Sequence, residues 1–501
     1  MATQTRLLLI LVAAASIVGG SVLAATRTPN VVFILADDLG WKDVGCNGSH
    51  FYETPNIDRL ASQGVRFTQA YAASSVCSPT RASIMTGKYP ARLQLTDWLP
   101  GRASNIHSPL RTPALPDHLD LKELTIGEAF SAAGYKTCFI GKWHLGGDGF
   151  EPTDQGFQTN IGGCELGHPP SYFSPYRIPT LPDGPKGEYL TDRLTNEAVE
   201  FIHRERAAPF FLYLSHYAVH NPQQAKPELI EKYRQKLKQE PGTSEPEFVQ
   251  EGDHKNRAIQ NQPVYAAMIQ SLDESVGRVM EAIEREGLSQ QTVVVFFSDN
   301  GGVSTAEGFP TSNLPLRAGK GWNYEGGIRE PLIVKWPGAI TPGATCDQPV
   351  ISNDFFPTLL EMAGLAASRP RSEDGTSFVT ALKGGVMAPR PLFWHYPHYS
   401  NQGGRPAGAV RYGDLKLIEW YEDGRVELFD LRSDCEERHD LAAEQPGRAN
   451  ELREMLANWR HEVGAAMPVK NPDFVPGDMW KPARPESEAK KSVSTESSKG
   501  D

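Results

Sequence analysis

The chain has 501 residues, a formal net charge of −11 and an ordinary 39% of hydrophobic residues. That length fits a large domain plus a smaller one rather than one small core. The acidic balance excludes nucleic acid or an anionic membrane as the main partner, and any anion site must be a local basic pocket in an acidic protein.

In chain order, residues 1–24 read as an export signal. Arg6 supplies the charged start, residues 7–18 a short apolar run, and Val22-Leu23-Ala24 small residues for cleavage after Ala24. The run is shorter than the roughly 20 apolar residues of a membrane span. No span is therefore expected after signal cleavage, and the protein is expected to be periplasmic or secreted. Apolar strands are predicted at 31–36, 136–140, 210–215 and 293–298. Helical patterns cover 56–63, 121–133, 190–206, 264–286 and 353–363, and this alternation predicts an α/β domain with a largely parallel sheet. Residues 227–261 read as an exposed insertion carrying a helix, and 368–374 as a charged loop. After about residue 390 the pattern changes. Short strands at 409–412, 415–421 and 426–431 are divided by Gly413-Asp414 and Asp423-Gly424, which predicts an antiparallel meander. A helix at 449–463 completes a small C-terminal α+β subdomain over 391–480, behind a catalytic domain over 25–390. The tail, 481–501, is rich in Ser, Lys and Glu and reads as disordered.

The ends of the four predicted strands carry the chemistry. They run into Asp37-Asp38, into Gly141-Lys142-Trp143-His144, into His216 and His220, and into Asp299-Asn300. In open α/β sheets ligands bind at the carboxyl ends of strands, so these groups are expected in one crevice. Asp37, Asp38, Asp299 and Asn300 offer only oxygen, which selects a hard cation over zinc. Ca²⁺ is the expected ion, with Mg²⁺ possible, because nothing demands a small octahedral site. His144 and His220 are the acid/base candidates, with His216 competing in its segment. Of the six cysteines, Cys138 lies in an apolar strand and reads as a buried free thiol.

Cys77 opens the segment Cys77-Ser78-Pro79-Thr80-Arg81, followed by Thr86-Gly87. Pro79 suits the first turn of a helix over 79–86 that stops near Gly87. Cys77 is then expected just before a helix N-terminus, where N–H groups and the dipole favour anions, with Arg81 one turn in. Cysteine phosphatases place five residues between nucleophile and arginine, whereas three intervene here.

This segment resembles the signature of the formylglycine-dependent sulfatases, in the alkaline phosphatase superfamily. Gly319-Lys320-Gly321, within the run from Leu316 to Pro331, is similar to the family's second long signature. Lys142-Trp143-His144 and Val219-His220-Asn221-Pro222 resemble further family elements, and the likeness extends from about residue 30 to 441. It implies an alkaline phosphatase-like sheet sandwiched by helices. It implies that Cys77 is oxidised to formylglycine by a maturation enzyme, and that formylglycine joins Asp37, Asp38, Asp299 and Asn300 at the metal. Arg81, Lys142 and Lys320 are implied to bind the sulfate, a histidine or Lys320 to protonate the leaving alcohol, with His220 favoured, and His144 to assist release of sulfate. The segment after Gly156-Phe157 departs from the family, with Cys164 near where a polar group is often found. The implied substrate is an aryl sulfate or a sulfated carbohydrate. The loops 96–102, 168–172 and 394–398 suit stacking on sugar, making Asp97, Arg102, His168, His395 and His398 candidate substrate contacts. The alternatives are a phosphodiesterase or phosphonate hydrolase of the same superfamily, or a sulfated-glycan-binding protein without catalysis.

Overall fold

The computed structural model describes residues 28–240, 244–365 and 374–480. The expected signal at 1–24, the tail at 481–501 and most of the charged loop at 368–374 lie outside the described residues. A nine-stranded sheet forms the centre of the molecule. Its strands are β1 (Asn30–Ala36), β2 (Val65–Tyr71), β3 (Lys136–Gly141), β4 (Thr159–Ile161), β5 (Phe210–Ser215), β6 (Thr292–Ser298), β7 (Arg329–Lys335), β8 (Ala344–Cys346) and β9 (Val350–Ile351). The order is β8-β2-β7-β6-β1-β5-β3-β4, with β9 also paired to β2.

Strand β1 explains the layering. All seven of its residues are buried, as a parallel strand covered on both faces requires. Alternate side chains face opposite ways. Val32 and Ile34 pack with helices α1 (Pro55–Gln63), α4 (Leu190–Glu205) and α6 (Pro263–Arg285). Val31, Phe33 and Leu35 pack on the other side with α2 (Cys77–Thr86), α3 (Ile126–Ala132) and α7 (Phe355–Met362). The expected α/β sandwich is thus present, but the sheet is mixed: β7 runs antiparallel to both β2 and β6. Neither β2 nor β7 is evident in the sequence. Val65–Tyr71 is interrupted by polar, half-buried positions, and β7 follows directly on the glycine-rich Lys320 segment.

The register sets the level at which the strand-end residues emerge. Ala36 is opposite Ser298, and Leu35 and Gly141 are both opposite Ser215. Asp37, Lys142, His216 and Asp299 therefore leave the sheet along one edge.

The C-terminal sheet has four antiparallel strands, β10 (Leu392–Tyr396), β11 (Ala407–Tyr412), β12 (Leu415–Trp420) and β13 (Val426–Asp430). The first is a correction, since its residues read as a loop; all five are buried, and Pro397 follows. Helix α8 (Pro446–Glu462) covers the sheet through Ala449, Leu452, Leu456 and Trp459. The same core takes in Tyr71, Ala318, Trp322 and Ile328 of the larger domain. Buried Lys416 bonds Glu325 and Glu437 at 2.9 Å each, a charged tie between the two parts. The insertion carries helix α5 (Pro227–Gln239) and a hairpin of Phe248–Glu251 with His254–Arg257.

Candidate active site

Helix α2 begins at Cys77, with extended Val76 as its cap, and ends at left-handed Gly87. Cys77 is therefore the first helical residue, which corrects the expectation that it precedes the helix; Pro79 falls third. Every residue of this helix is buried. Its first residue meets the edge where β1, β3, β5 and β6 end.

Three buried carboxylates converge there. Cys77 Sγ lies 3.7 Å from Asp37 Oδ1. Asp37, Cys77 and Asp299 form one group of potential ligands within 4.8 Å of one another, and Asp38, Cys77 and His220 form another. Each carboxylate has a cation. Lys142 Nζ donates to Asp37 at 2.8 Å. Arg81 donates through Nε to Asp299 at 2.9 Å, while its Nη1 reaches the Lys142 carbonyl and Ser215 Oγ. Lys320 Nζ contacts both Asp38 oxygens, at 2.7 and 2.8 Å. Asn300 Nδ2 also donates to Asp38, at 2.8 Å. Ser215 was not singled out in the sequence; its only signal there is that it ends its strand.

The backbone supports this placement. Asp38 adopts a left-handed φ of 61°, a region that Asp tolerates better than most residues. Its carbonyl accepts from Tyr265 at 3.1 Å, and its N–H donates to Asp299 at 3.2 Å. Gly301 brings the Asp299-Asn300 turn against the Glu325-Gly326-Gly327 segment; a Cβ there would lie 1.9 Å from the Gly326 carbonyl.

Charge and burial oppose each other at these groups. Burial raises the Asp37 carboxyl above its usual range despite Lys142. Burial and the Asp37 charge raise Asp299 to about 6. Burial also acts on Asp38, but Lys320, His220 and Lys142 hold it below the ordinary carboxylate range. For Cys77, burial is overcome by Lys142 and Lys320, which bring the thiol down to about 7.

The two histidines differ. Burial and Lys142 hold the His144 imidazolium well below its ordinary value, so the ring is neutral. Its Nε2 lies 2.7 Å from the Leu99 carbonyl, which assigns the proton to Nε2. Buried Nδ1 is then a free acceptor, with no partner among the described residues. At His220, burial and Lys320 oppose the charged form, but Asp38 and Asp37 outweigh them and raise the pKa. Its Nδ1 faces the Asn221 carbonyl at 3.0 Å and its Nε2 lies 3.5 Å from Asp38. The competitor His216 is buried beneath the site against Ser275, at 3.0 Å.

Above these groups opens a cleft of about 530 Å³. Cys77, His144, His220 and Lys320 line it, together with Trp98 and His168. Gly167 lies beside His144; a Cβ there would be 2.6 Å from the imidazole. Four candidate sugar contacts do not line the cleft, which corrects their expected placement. His395 is buried between Tyr421 and the Ala466 carbonyl, and His398 against Thr96. Burial keeps both neutral, at about 4 and about 3. Asp97 accepts from Trp98 N, Arg102 N and Tyr396 Oη. Arg102 donates to the Ser400 and Met479 carbonyls and lies over Trp480. Conversely, Glu165, Asn221, Glu307 and Gln402 line the cleft without having been singled out as site residues. They come from separate loops; only Asn221 falls within a family-like segment, beside His220, and no motif marks the other three. Cys164 is off the cleft, its thiol 3.9 Å from Tyr217 Oη and its carbonyl accepting from His144 N.

The sulfatase family model matches residues 29–365. The chain belongs to the sulfatase family. A model of the N-sulphoglucosamine sulphohydrolase C-terminal region matches residues 318–462. This sulfatase is 31% identical to a sulfatase of Formosa agariphila over 90% of this chain and 92% of that one. It is 34% identical to the N-acetylgalactosamine-6-sulfatase of Canis lupus familiaris, over 84% and 76%. The crystal structure of Ps i-CgsB superposes with a TM-score of 0.71 at 28% identity, covering 90% of this chain and 95% of that one. The protein is accordingly a sulfuric ester hydrolase of alkaline phosphatase-like fold. Among the described residues no helix is long and apolar enough to cross a membrane.

Proposed function

We propose that this sulfatase removes a sulfate ester from a saccharide, using formylglycine matured from Cys77 and a Ca²⁺ ion held by Asp37, Asp38, Asp299 and Asn300. The observation that carries the reading is the meeting of Cys77 with three buried carboxylates and three paired cations at the foot of the cleft. The donor set fits a hard cation. It offers oxygen, and Asn300 Oδ1 is buried with no hydrogen-bond partner among the described residues. When present, the ion would supply Lewis-acid stabilisation of sulfate oxygens, and hydrated formylglycine a hydroxyl nucleophile that regenerates its aldehyde.

The remaining work belongs to this chain's own side chains. Arg81 and Lys142 offset part of the burial that raises Asp299 and Asp37, and Lys320 carries positive charge to the sulfate. His220, whose charged form Asp38 and Asp37 favour, donates a proton to the departing alcohol oxygen. His144, neutral with Nδ1 free, accepts a proton from the group at position 77. His168 and Trp98, which line the cleft, offer aromatic surface to the sugar. The curated relatives named for N-acetylgalactosamine 6-sulfate support a saccharide substrate. The signal-like residues 1–24 support export to the periplasm or medium, with a formylglycine-generating enzyme as maturation partner.

Mass spectrometry of the peptide around Cys77, read beside sulfate release from a panel of sulfated saccharides, tests the proposal. The aldehyde or its hydrate is expected in active protein, and Cys77→Ala is expected to abolish turnover while the protein stays folded. Active protein carrying only an unmodified thiol, or near-normal turnover by Cys77→Ala, overturns it.

A further inference from the structure

The cleft above Cys77 carries its charge unevenly. Among its described lining residues Lys320 is the only lysine or arginine, and Asp38 holds that ammonium at 2.7 and 2.8 Å. The exposed part of the wall carries two carboxylates, Glu165 and Glu307. Glu307 is fixed in place. Its Oε1 accepts from Gln402 Nε2 at 2.5 Å and its Oε2 from Asn221 Nδ2 at 3.3 Å. The same Asn221 amide donates to the Glu307 carbonyl at 3.3 Å. The Glu307 backbone has a φ of 52°, a left-handed conformation that residues other than glycine seldom adopt. Deeper in the cleft, buried His144 Nδ1 has no partner among the described residues.

A carboxylate only accepts hydrogen bonds. Hydroxyl groups of a neutral sugar ring can donate to it. A carboxylate or second sulfate on the substrate has no proton to offer and is repelled. A wall that read polyanionic chains would instead present arginine or lysine forks.

Resting on the saccharide reading above, we infer that Glu307, held by Asn221 and Gln402, is a specificity-determining residue. Its carboxylate binds ring hydroxyls near the scissile sulfate and, with Glu165, rejects substrates that carry a second negative charge beside it. The substrate class is a singly sulfated sugar flanked by neutral sugars. Discrimination of this kind comes from an unfavourable contact with the wrong ligand as much as from a favourable one with the right ligand.

The test uses the mature full-length enzyme and two matched disaccharides. Both carry the same 6-sulfated N-acetylgalactosamine, linked in one to galactose and in the other to glucuronate; 4-nitrophenyl sulfate is run beside them. Wild type is expected to favour the neutral partner by about tenfold or more in kcat/KM, because like charges meet at the wall in the other. Added salt narrows that preference. Glu307→Gln is expected to reduce it by about tenfold, through faster turnover of the glucuronate substrate and slower turnover of the neutral one. Should that variant fail to fold, Glu165→Gln, at an exposed position, carries the same comparison. Equal preference in wild type and variants, or a wild-type preference for the glucuronate partner, overturns the inference and leaves the saccharide reading standing. Turnover of 4-nitrophenyl sulfate with neither disaccharide overturns both.

Discussion

At the scale of single residues, His220 and Lys320 lie within reach of the same Asp38 but carry different chemistry. The proposed proton donor matters most for a poor leaving group. An aryl sulfate releases a stable phenolate, whereas a sugar alkoxide needs the proton. His220→Ala is expected to lower kcat/KM for a sugar sulfate by roughly 10²–10⁴-fold, the range of general acid catalysis, with a much smaller loss on an aryl sulfate. Lys320→Ala is expected to lower both alike, because the transferred group is the same. Steady-state kinetics of both variants on both substrates decide the matter. An unchanged sugar-to-aryl ratio in His220→Ala removes His220 as the acid. The preference for His220 over His216 rests in the sequence on the likeness of Val219-His220-Asn221-Pro222 to the family's element, and the packing agrees with it. Both follow the same strand, and packing turns His216 to Ser275 while His220 faces the cleft.

At the scale of elements, Asp97 joins the loop behind Cys77 to β10 of the C-terminal sheet through Tyr396. Burial raises its carboxyl to about 7 although Tyr396, Trp98 N and Arg102 N all donate to it. The folded protein therefore binds this proton more tightly than the unfolded chain does. Its contribution to stability is present at low pH and falls as pH rises from 3.8 to about 7. An asparagine at this position keeps an acceptor and drops the titration. Asp97→Asn is expected to gain in Tm relative to wild type between those pH values, with the difference flat above them. A difference independent of pH across that window excludes a raised Asp97. Asp97, His395 and His398 looked like sugar contacts because polar and aromatic residues cluster around them in sequence. Their clustering reflects a buried junction between domain and subdomain.

For the whole molecule, the two parts share one core and one buried charge group. Lys416 on β12 bonds Glu325, beside the Lys320 segment, and Glu437 beyond the meander. Glu437 Oε2 also accepts from Glu325 N at 2.6 Å. Removing the lysine leaves buried Glu437 without its cation and Glu325 with only Arg329, at 3.5 Å. Lys416→Ala is expected to cost about 3–5 kcal/mol in chemical denaturation. Acid neutralises the stranded carboxylates, so the deficit is expected to be smaller near pH 5 than near pH 8. A loss under about 1 kcal/mol would show that the group is not the tie between the parts, since exposed pairs contribute no more than that.

The sequence by itself determined the family, the α/β class and the pool of reacting groups. Those groups are adjacent in the chain or follow a strand directly, so local pattern carries them: Cys77 with Arg81, Asp37 with Asp38, Asp299 with Asn300, and Lys142 with His144. The parallel register then places them along one sheet edge. The antiparallel β7 escaped, because its pairing with β2 joins Arg329 to Tyr71, far apart in the chain, and leaves no local mark. The wall of the cleft escaped for the same reason. Glu307 and Gln402 are ordinary polar loop residues in sequence, Asn221 is marked only as the neighbour of His220, and only folding sets one carboxylate between two amides from distant loops. Chemistry common to a family can be written in short contiguous motifs; a surface that selects one substrate is assembled from side chains whose neighbours are chosen by the tertiary structure.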